Sequence, residues 1–282
     1  LSNNDIPPEA LAKLDTGKAP RSSYLSSDAS KIQVFVLFGL DGVDSSDSVM
    51  LVALDRVHQK IKLISLARDS YVFIPEFASF SKLAYSYTWG GAAMAVKNLN
   101  YNYYLNVSDY IAVDFDQLAQ IIDRIGGVTV NIDEDEARYL SGYPNVRVGD
   151  CLLDGETAVS YARIRKSSAT DSDRKRTGRQ REVILSILNT LQTMPLSQYP
   201  GFVRDCLGMC ATSFEAETLL TMAAETLGQN YTVEQYFFPE GQVDWWAGLI
   251  KEYFYYVYDL RRASDRIYRI IYEELYISGY DD

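Results

Sequence analysis

The chain has 282 residues, a formal net charge of −11 and an isoelectric point near 4.7. That balance argues against non-specific nucleic-acid binding, which needs a broad basic face. Its single histidine, His58, leaves almost no room for Ser-His-Asp catalysis or histidine-ligated zinc, while 47% hydrophobic and 23% charged residues are ordinary for a folded chain able to bury a large core.

Residues 1–30 read as a polar lead-in, with a short helix expected after Pro7-Pro8. The abrupt polar start at Leu1 reads as a cut downstream of something else. Ile32–Leu40 (IQVFVLFGL) is a continuous apolar run of strand length, Val49–Asp55 is a second, and Lys60–Arg68 alternates like a third, all joined by short links. Three such strands in succession predict a meander at the centre of a sheet. From Lys82 to Leu99 the pattern turns helical, with Gly90-Gly91 marking where the helix begins. Tyr110–Phe115, Asp116–Gly127 and Val128–Ile132 read as strand, glycine-capped helix and strand, a β-α-β unit. An irregular acidic stretch then leads to a short helix in LDGETAVSYARIR (Leu153–Arg165). Lys175–Thr193 and Ser213–Leu227 are expected as helices, residues 233–239 as a strand, and Ser264–Tyr276 as a final helix. No repeat or linker divides the chain, so residues 31–282 read as one α/β domain.

The segment Tyr161–Glu182 (YARIRKSSATDSDRKRTGRQRE) opposes its acidic background, with six arginines and two lysines against Asp171, Asp173 and Glu182. Arginine binds phosphate oxygens in pairs. Cations at a helix start gain nothing from the helix dipole, so their concentration points to a local anion, most simply phosphate or pyrophosphate; a solvated face is the plain alternative. Asp41, Asp44 and Asp47 lie after the first buried strand, where hard oxygen donors suit Mg²⁺ and where a plain Asp-Gly turn would also fit. Arg68-Asp69 should emerge near the same sheet edge, and Lys82 precedes the glycine-broken helix. Cys151, Cys206 and Cys210 form no zinc pattern, and their pairing stays open.

In order along Ile32–Thr193, the stretches FGLDG, SDSVMLVALD, KIKLISLARDSYVFIP, SKLAYSYTWGG, YLNVSDYIAVDFDQLAQIIDRIGGVTVNI, LDGETAVSYARIR and DSDRKRTGRQREVI resemble the LytR-CpsA-Psr (LCP) family of bacterial cell-envelope phosphotransferases. The resemblance implies a single LCP-type α/β domain whose central mixed sheet and flanking helices enclose a hydrophobic tunnel for a polyprenyl lipid. It also implies an N-terminal membrane anchor and an extracytoplasmic location. The implied activity is transfer of a glycopolymer from a polyprenyl-pyrophosphate carrier to a cell-wall acceptor, typically peptidoglycan. Carried over motif by motif, Asp41 and Asp47 would bind Mg²⁺ (or Mn²⁺). Arg68, Lys82, Arg163, Arg165, Arg176 and Gln180 would contact pyrophosphate, and Asp173 would help position the arginines. Arg68, Asp69, Arg163 and Arg165 would serve catalysis, with Asp69 or Asp47 as base for the acceptor hydroxyl. Arg174, Lys175 and Arg181 are left as solvated. The family often has Arg-Ser-Asp at its second metal position; Ser45-Ser46-Asp47 lacks that arginine, and Ser46 reads as the weak side of a clamp of metal and arginines. Pyrophosphate hydrolysis and lipid or polyanion binding without turnover are the competing readings.

Overall fold

The computed structural model describes residues 6–14, 23–25, 27–42, 45–165, 169–226, 231–272 and 276–278. The chain divides into two compact units. The first comprises residues 1–38, 43–110 and 232–282, and the second residues 39–42 and 111–231.

The first unit opens with α1 (Pro8–Leu11), β1 (Ser23–Leu25), β2 (Ile32–Leu40), β3 (Ser46–Asp55) and β4 (Lys60–Leu66). The expected meander is present, with β2, β3 and β4 adjacent in that order. Every residue from Val49 to Asp55 is buried, which is why the sequence there is continuously apolar rather than alternating. Strands β3 and β4 pair antiparallel from Val49 opposite Leu66 to Asp55 opposite Lys60. The hairpin β5 (Tyr71–Ile74) and β6 (Ser79–Lys82) leads into α2 (Tyr85–Tyr103). Gly90 and Gly91 break α2, with Gly91 at φ 63° and ψ −162°, a conformation open to glycine alone, so one turn of helix precedes the regular segment. Asn102 clamps α2 to β5: its Oδ1 accepts the Phe73 N–H at 2.9 Å and its Nδ2 donates to the Phe73 carbonyl at 2.8 Å.

The second unit holds most of β7 (Asp109–Asp114), then α3 (Phe115–Arg124), β8 (Val128–Ile132), α4 (Glu134–Tyr139), β9 (Gly149–Leu153), α5 (Gly155–Arg163), α6 (Ala169–Thr193), α7 (Tyr199–Met209), β10 (Ala211–Thr212) and α8 (Ala216–Thr226). Asp114 starts α3 with a reciprocal capping box, and Gly126 (φ 86°) and Gly127 (φ 103°) turn the chain out of it. The expected β-α-β unit does not close as a parallel pair. β8 instead pairs antiparallel with β9, which begins at the end of the stretch expected to be irregular, while β7 pairs with β10. The alternation of Val128, Val130 and Ile132 inward with exposed Thr129 and Asn131 marks this hairpin as covered on one face. Its apolar face joins Ile122, Ala158, Tyr161, Ile164 and Val183 in one core. Cys151, Cys206 and Cys210 are free thiols.

The chain returns to the first unit with β11 (Thr232–Phe238), which adds parallel to β4 and makes the sheet mixed. β12 (Trp245–Ile250) and β13 (Tyr253–Tyr258) form a hairpin. This aromatic run therefore belongs to strands, and Tyr255–Tyr258 are its buried part. α9 (Leu260–Tyr272) packs with α2 and against β3 and β4, and β14 (Tyr276–Ser278) pairs with β1. The fold is the expected α/β class, with a central mixed sheet flanked by helices.

Candidate active site

In the first unit the β3–β4 ladder itself assembles charge. Continuing the register of Val49 opposite Leu66 by two residues sets Asp47 opposite Arg68, and Arg68 Nη1 does donate to Asp47 Oδ1. Their side chains are only 12% and 22% exposed, so water screens this pair poorly. The β5–β6 register sets Lys82 opposite Tyr71, two residues beyond Asp69, and Lys82 Nζ lies 2.6 Å from Asp69 Oδ1. Arg68 Nε lies 3.7 Å from Asp69 Oδ2. The result is an alternating row, Asp47, Arg68, Asp69, Lys82, built from two strand ends and the turn between them. Arg68 Nε is buried without a hydrogen-bond partner among the described residues, a donor whose desolvation an anion would offset.

The turn carrying Arg68 and Asp69 is held on three sides. Ala67 N–H donates to the Phe238 carbonyl, Tyr256 N–H to the Asp69 carbonyl, and Ala84 and Leu83 N–H to the carbonyls of Arg68 and Ser70, each at 3.0 Å. Beneath it, Ser70 Oγ, Tyr258 OH and Tyr103 OH form a buried chain with spacings of 2.8 and 2.6 Å. Burial pushes the Tyr103 hydroxyl up to about 12 and that of Tyr258 well above its ordinary value, so both remain neutral hydrogen-bonding groups.

Ser46 is fully buried and its hydroxyl donates to the Ser48 carbonyl at 2.8 Å. It therefore serves the start of β3. Among the described residues no three carboxylate, cysteine or histidine groups cluster as a metal site. Mg²⁺ needs only one or two carboxylates beside phosphate oxygens, and a carboxylate has several acceptor positions, so the Arg68 bond does not exhaust Asp47. The donor chemistry fits a hard cation.

In the second unit Asp41 follows β2 and is half-buried; Asp44 and the side chain of Asp173 lie outside the described residues. Arg163 ends α5 with its guanidinium 4.5 Å from the centre of the Phe115 ring, a cation–π contact. Arg165 is exposed. Arg176, by contrast, is 1% exposed, and Gln180 Oε1 on the same helix is buried without a hydrogen-bond partner among the described residues. Arg174 and Lys175 are exposed, as expected of solvated residues, but Arg181 is half-buried, and burial pulls its pKa down to about 10. A cavity of about 370 Å³ in this unit, lined in part by Asp123, Asn145 and Asp154, includes none of these residues.

Sequence reading missed Ser70, Tyr103 and Tyr258, and also Glu136, whose Oε1 accepts from Arg179 Nε at 2.6 Å. Asp133 and Glu136 do carry the capping-box spacing, which was visible; the partner 43 residues further on was not.

The LytR_cpsA_psr family profile matches residues 11–268. A polyisoprenyl-teichoic acid–peptidoglycan teichoic acid transferase TagU from Oceanobacillus iheyensis is 29% identical over 230 residues, 78% of this chain and 69% of the relative. A TagU of the same description from Enterococcus faecalis is 30% identical over 166 residues, 56% of this chain and 54% of the relative. The crystal structure of Bacillus subtilis TagT superposes with a TM-score of 0.70 at 20% identity, covering 92% of this chain and 99% of that one. The chain spans about two thirds of one curated relative and about half of the other. With the family profile covering nearly the whole chain, the protein belongs to the LytR_cpsA_psr family.

Proposed function

We propose that this chain is a phosphotransferase that moves a glycopolymer from a polyprenyl-pyrophosphate carrier to a cell-wall acceptor, typically peptidoglycan. The observation that carries the reading is the row Asp47–Arg68–Asp69–Lys82, in which a buried arginine donor lies beside two carboxylates, in a family whose TagU relatives are described as teichoic acid transferases. Arg68 and Lys82 of the first unit, and Arg163, Arg165, Arg176 and Gln180 of the second, serve as pyrophosphate contacts, with Asp173 helping to position the arginines. Mg²⁺ (or Mn²⁺) held by Asp41 and Asp47 would supply further positive charge against the pyrophosphate oxygens.

The chemistry asked of these side chains is positioning and charge stabilisation. The acceptor hydroxyl oxygen bonds to the phosphorus on the polymer side, and the bond from that phosphorus to the bridging oxygen breaks, releasing polyprenyl phosphate. The hydroxyl proton passes to a carboxylate, Asp69 or Asp47. The arginines and Lys82 offset the charge that builds on the departing phosphate. The lipid occupies an apolar tunnel, the protein works on the outer face of the membrane, and an anchor precedes the catalytic domain. Among the described residues no helix is long and apolar enough to cross a membrane.

A purified assay with lipid-pyrophosphate-linked polymer and peptidoglycan fragments tests the reading. Arg165→Ala and Asp47→Ala should each lower transfer by about 100-fold or more; transfer at the original rate in both would overturn it. Phosphate release without any wall fragment would identify a hydrolase instead.

A further inference from the structure

Glu136, Tyr161 and Arg179 meet in a buried junction of three helices in the second unit. Arg179 Nε donates to Glu136 Oε1 at 2.6 Å, and its Nη1 donates to the carbonyl of Ile164 at 3.1 Å. The guanidinium carbon lies 5.9 Å from the centre of the Tyr161 ring. The Arg179 and Glu136 side chains are only 6% and 8% exposed. Both partners are fixed in turn: Glu136 Oε2 accepts the Asp133 N–H at 2.9 Å, and Tyr161 OH donates to Glu182 Oε2 at 2.5 Å.

The position of the accepted carbonyl gives the junction its meaning. Ile164 separates Arg163 from Arg165 and is the C-terminal cap of α5, where the chain leaves the helix at ψ 125° and its carbonyl has no intrahelical donor. Arg179 shares α6 with Arg176 and Gln180. One guanidinium thus ties the first cluster of arginines to the second. Stability alone is a poor account of this arrangement, because burying an ion pair costs desolvation, and apolar residues of similar volume often do as well or better. What an apolar pair lacks is direction: the guanidinium plane sends its donors along fixed axes.

We propose that the Glu136–Arg179 pair is a positioning device that sets Arg163-Ile164-Arg165 in register with Arg176 and Gln180, presenting them as a preformed anion-binding set. The proposal rests on the reading of those arginines as pyrophosphate contacts. Glu136 and Arg179 act through the Ile164 carbonyl and the α6 backbone rather than by touching the anion. Preorganisation of this kind lowers the ordering cost of binding.

The test uses the 282-residue chain, inorganic pyrophosphate as probe with binding measured by calorimetry, and Tm measured in parallel. Arg179→Lys keeps the charge but loses the fork, and it should weaken binding about tenfold while the Tm stays near that of the parent. The apolar pair Glu136→Leu with Arg179→Met should do the same at unchanged or higher Tm. In an Arg165→Ala background, Arg179→Lys should cost clearly less than it does alone, because both changes remove the same presented group. Parental affinity in Arg179→Lys, or full additivity with Arg165→Ala, would overturn the proposal, and Arg179→Lys decides the matter if the apolar pair does not fold. A parent chain that does not bind pyrophosphate, or an Arg165→Ala variant that binds it at parental strength, would instead overturn the underlying site reading.

Discussion

Asp55 and Lys62 have side chains with no solvent exposure, and their charged atoms are 2.9 Å apart across the β3–β4 hairpin. Lys62 also donates to the Ile271 carbonyl at 2.9 Å, and His58 Nδ1 lies 2.7 Å from the same Asp55 oxygen. Burial pushes the Asp55 carboxyl up, but the hydrogen bonds from Lys62 and His58 together outweigh it and hold the pKa below its ordinary value. A depressed carboxylate pKa contributes stability that is fully present above the unfolded-state value, about 4, and is lost as pH falls through the folded value. Asp55→Asn leaves the Lys62 charge buried without its counter-ion and should cost about 3–5 kcal/mol at pH 7. Denaturant titration should show that loss, and the variant should lack this group's part of the acid limb between pH 5 and lower values. An unchanged midpoint would mean that Lys62 finds another partner.

At the scale of elements, two contacts are tight enough to predict single-residue effects. A Cβ at Gly155, the first residue of α5, would sit 2.1 Å from the Ala119 carbonyl oxygen of α3. That atom is backbone and cannot swing away, so Gly155→Ala must separate the two helices. Such overpacking costs about 1–3 kcal/mol, and a Tm drop of several degrees is the expected reading; an unchanged Tm would refute the contact. The turn carrying Arg68 and Asp69 depends on a different device, the buried hydroxyl chain Ser70–Tyr258–Tyr103. Tyr258→Phe leaves the Tyr103 hydroxyl buried and short of a partner while Ser70 keeps its bond to the Ala67 carbonyl at 2.7 Å, a loss of about 1–3 kcal/mol. Thermal unfolding should register it, and parental Tm would show that the Tyr103 hydroxyl finds another partner.

For the whole molecule, charge and chemistry give one joint expectation. A protein of net charge −11 acting on pyrophosphate as proposed would have to offset its own field locally, a task for the arginine segment of residues 161–182 that a divalent cation would extend. Chelation with EDTA should therefore abolish polymer transfer, and added Mg²⁺ or Mn²⁺ should restore it. Transfer that continues at the original rate in EDTA would exclude the cation from the reaction. Binding of polymer that persists in EDTA without product at any metal concentration would favour a module that does not turn over.

Sequence alone marked the three adjacent central strands, because Ile32–Leu40 and Val49–Asp55 are apolar runs of strand length and Lys60–Arg68 alternates with strand period. It also marked the arginine segment, since charge that contradicts its surroundings is visible without coordinates, while Asp47, Arg68 and Lys82 stood out through the family resemblance. The β8–β9 hairpin was hidden because Val128–Ile132 after a capped helix fits a parallel crossover equally well, and only its partner, Gly149–Leu153, decides between them. Likewise, nothing local says that Asp47 faces Arg68, that Tyr258 lies beneath Ser70, or that Glu136 reaches Arg179. Those pairings span 21, 188 and 43 residues, and side-chain chemistry names the kind of partner each group needs while only the packed chain selects which one it meets.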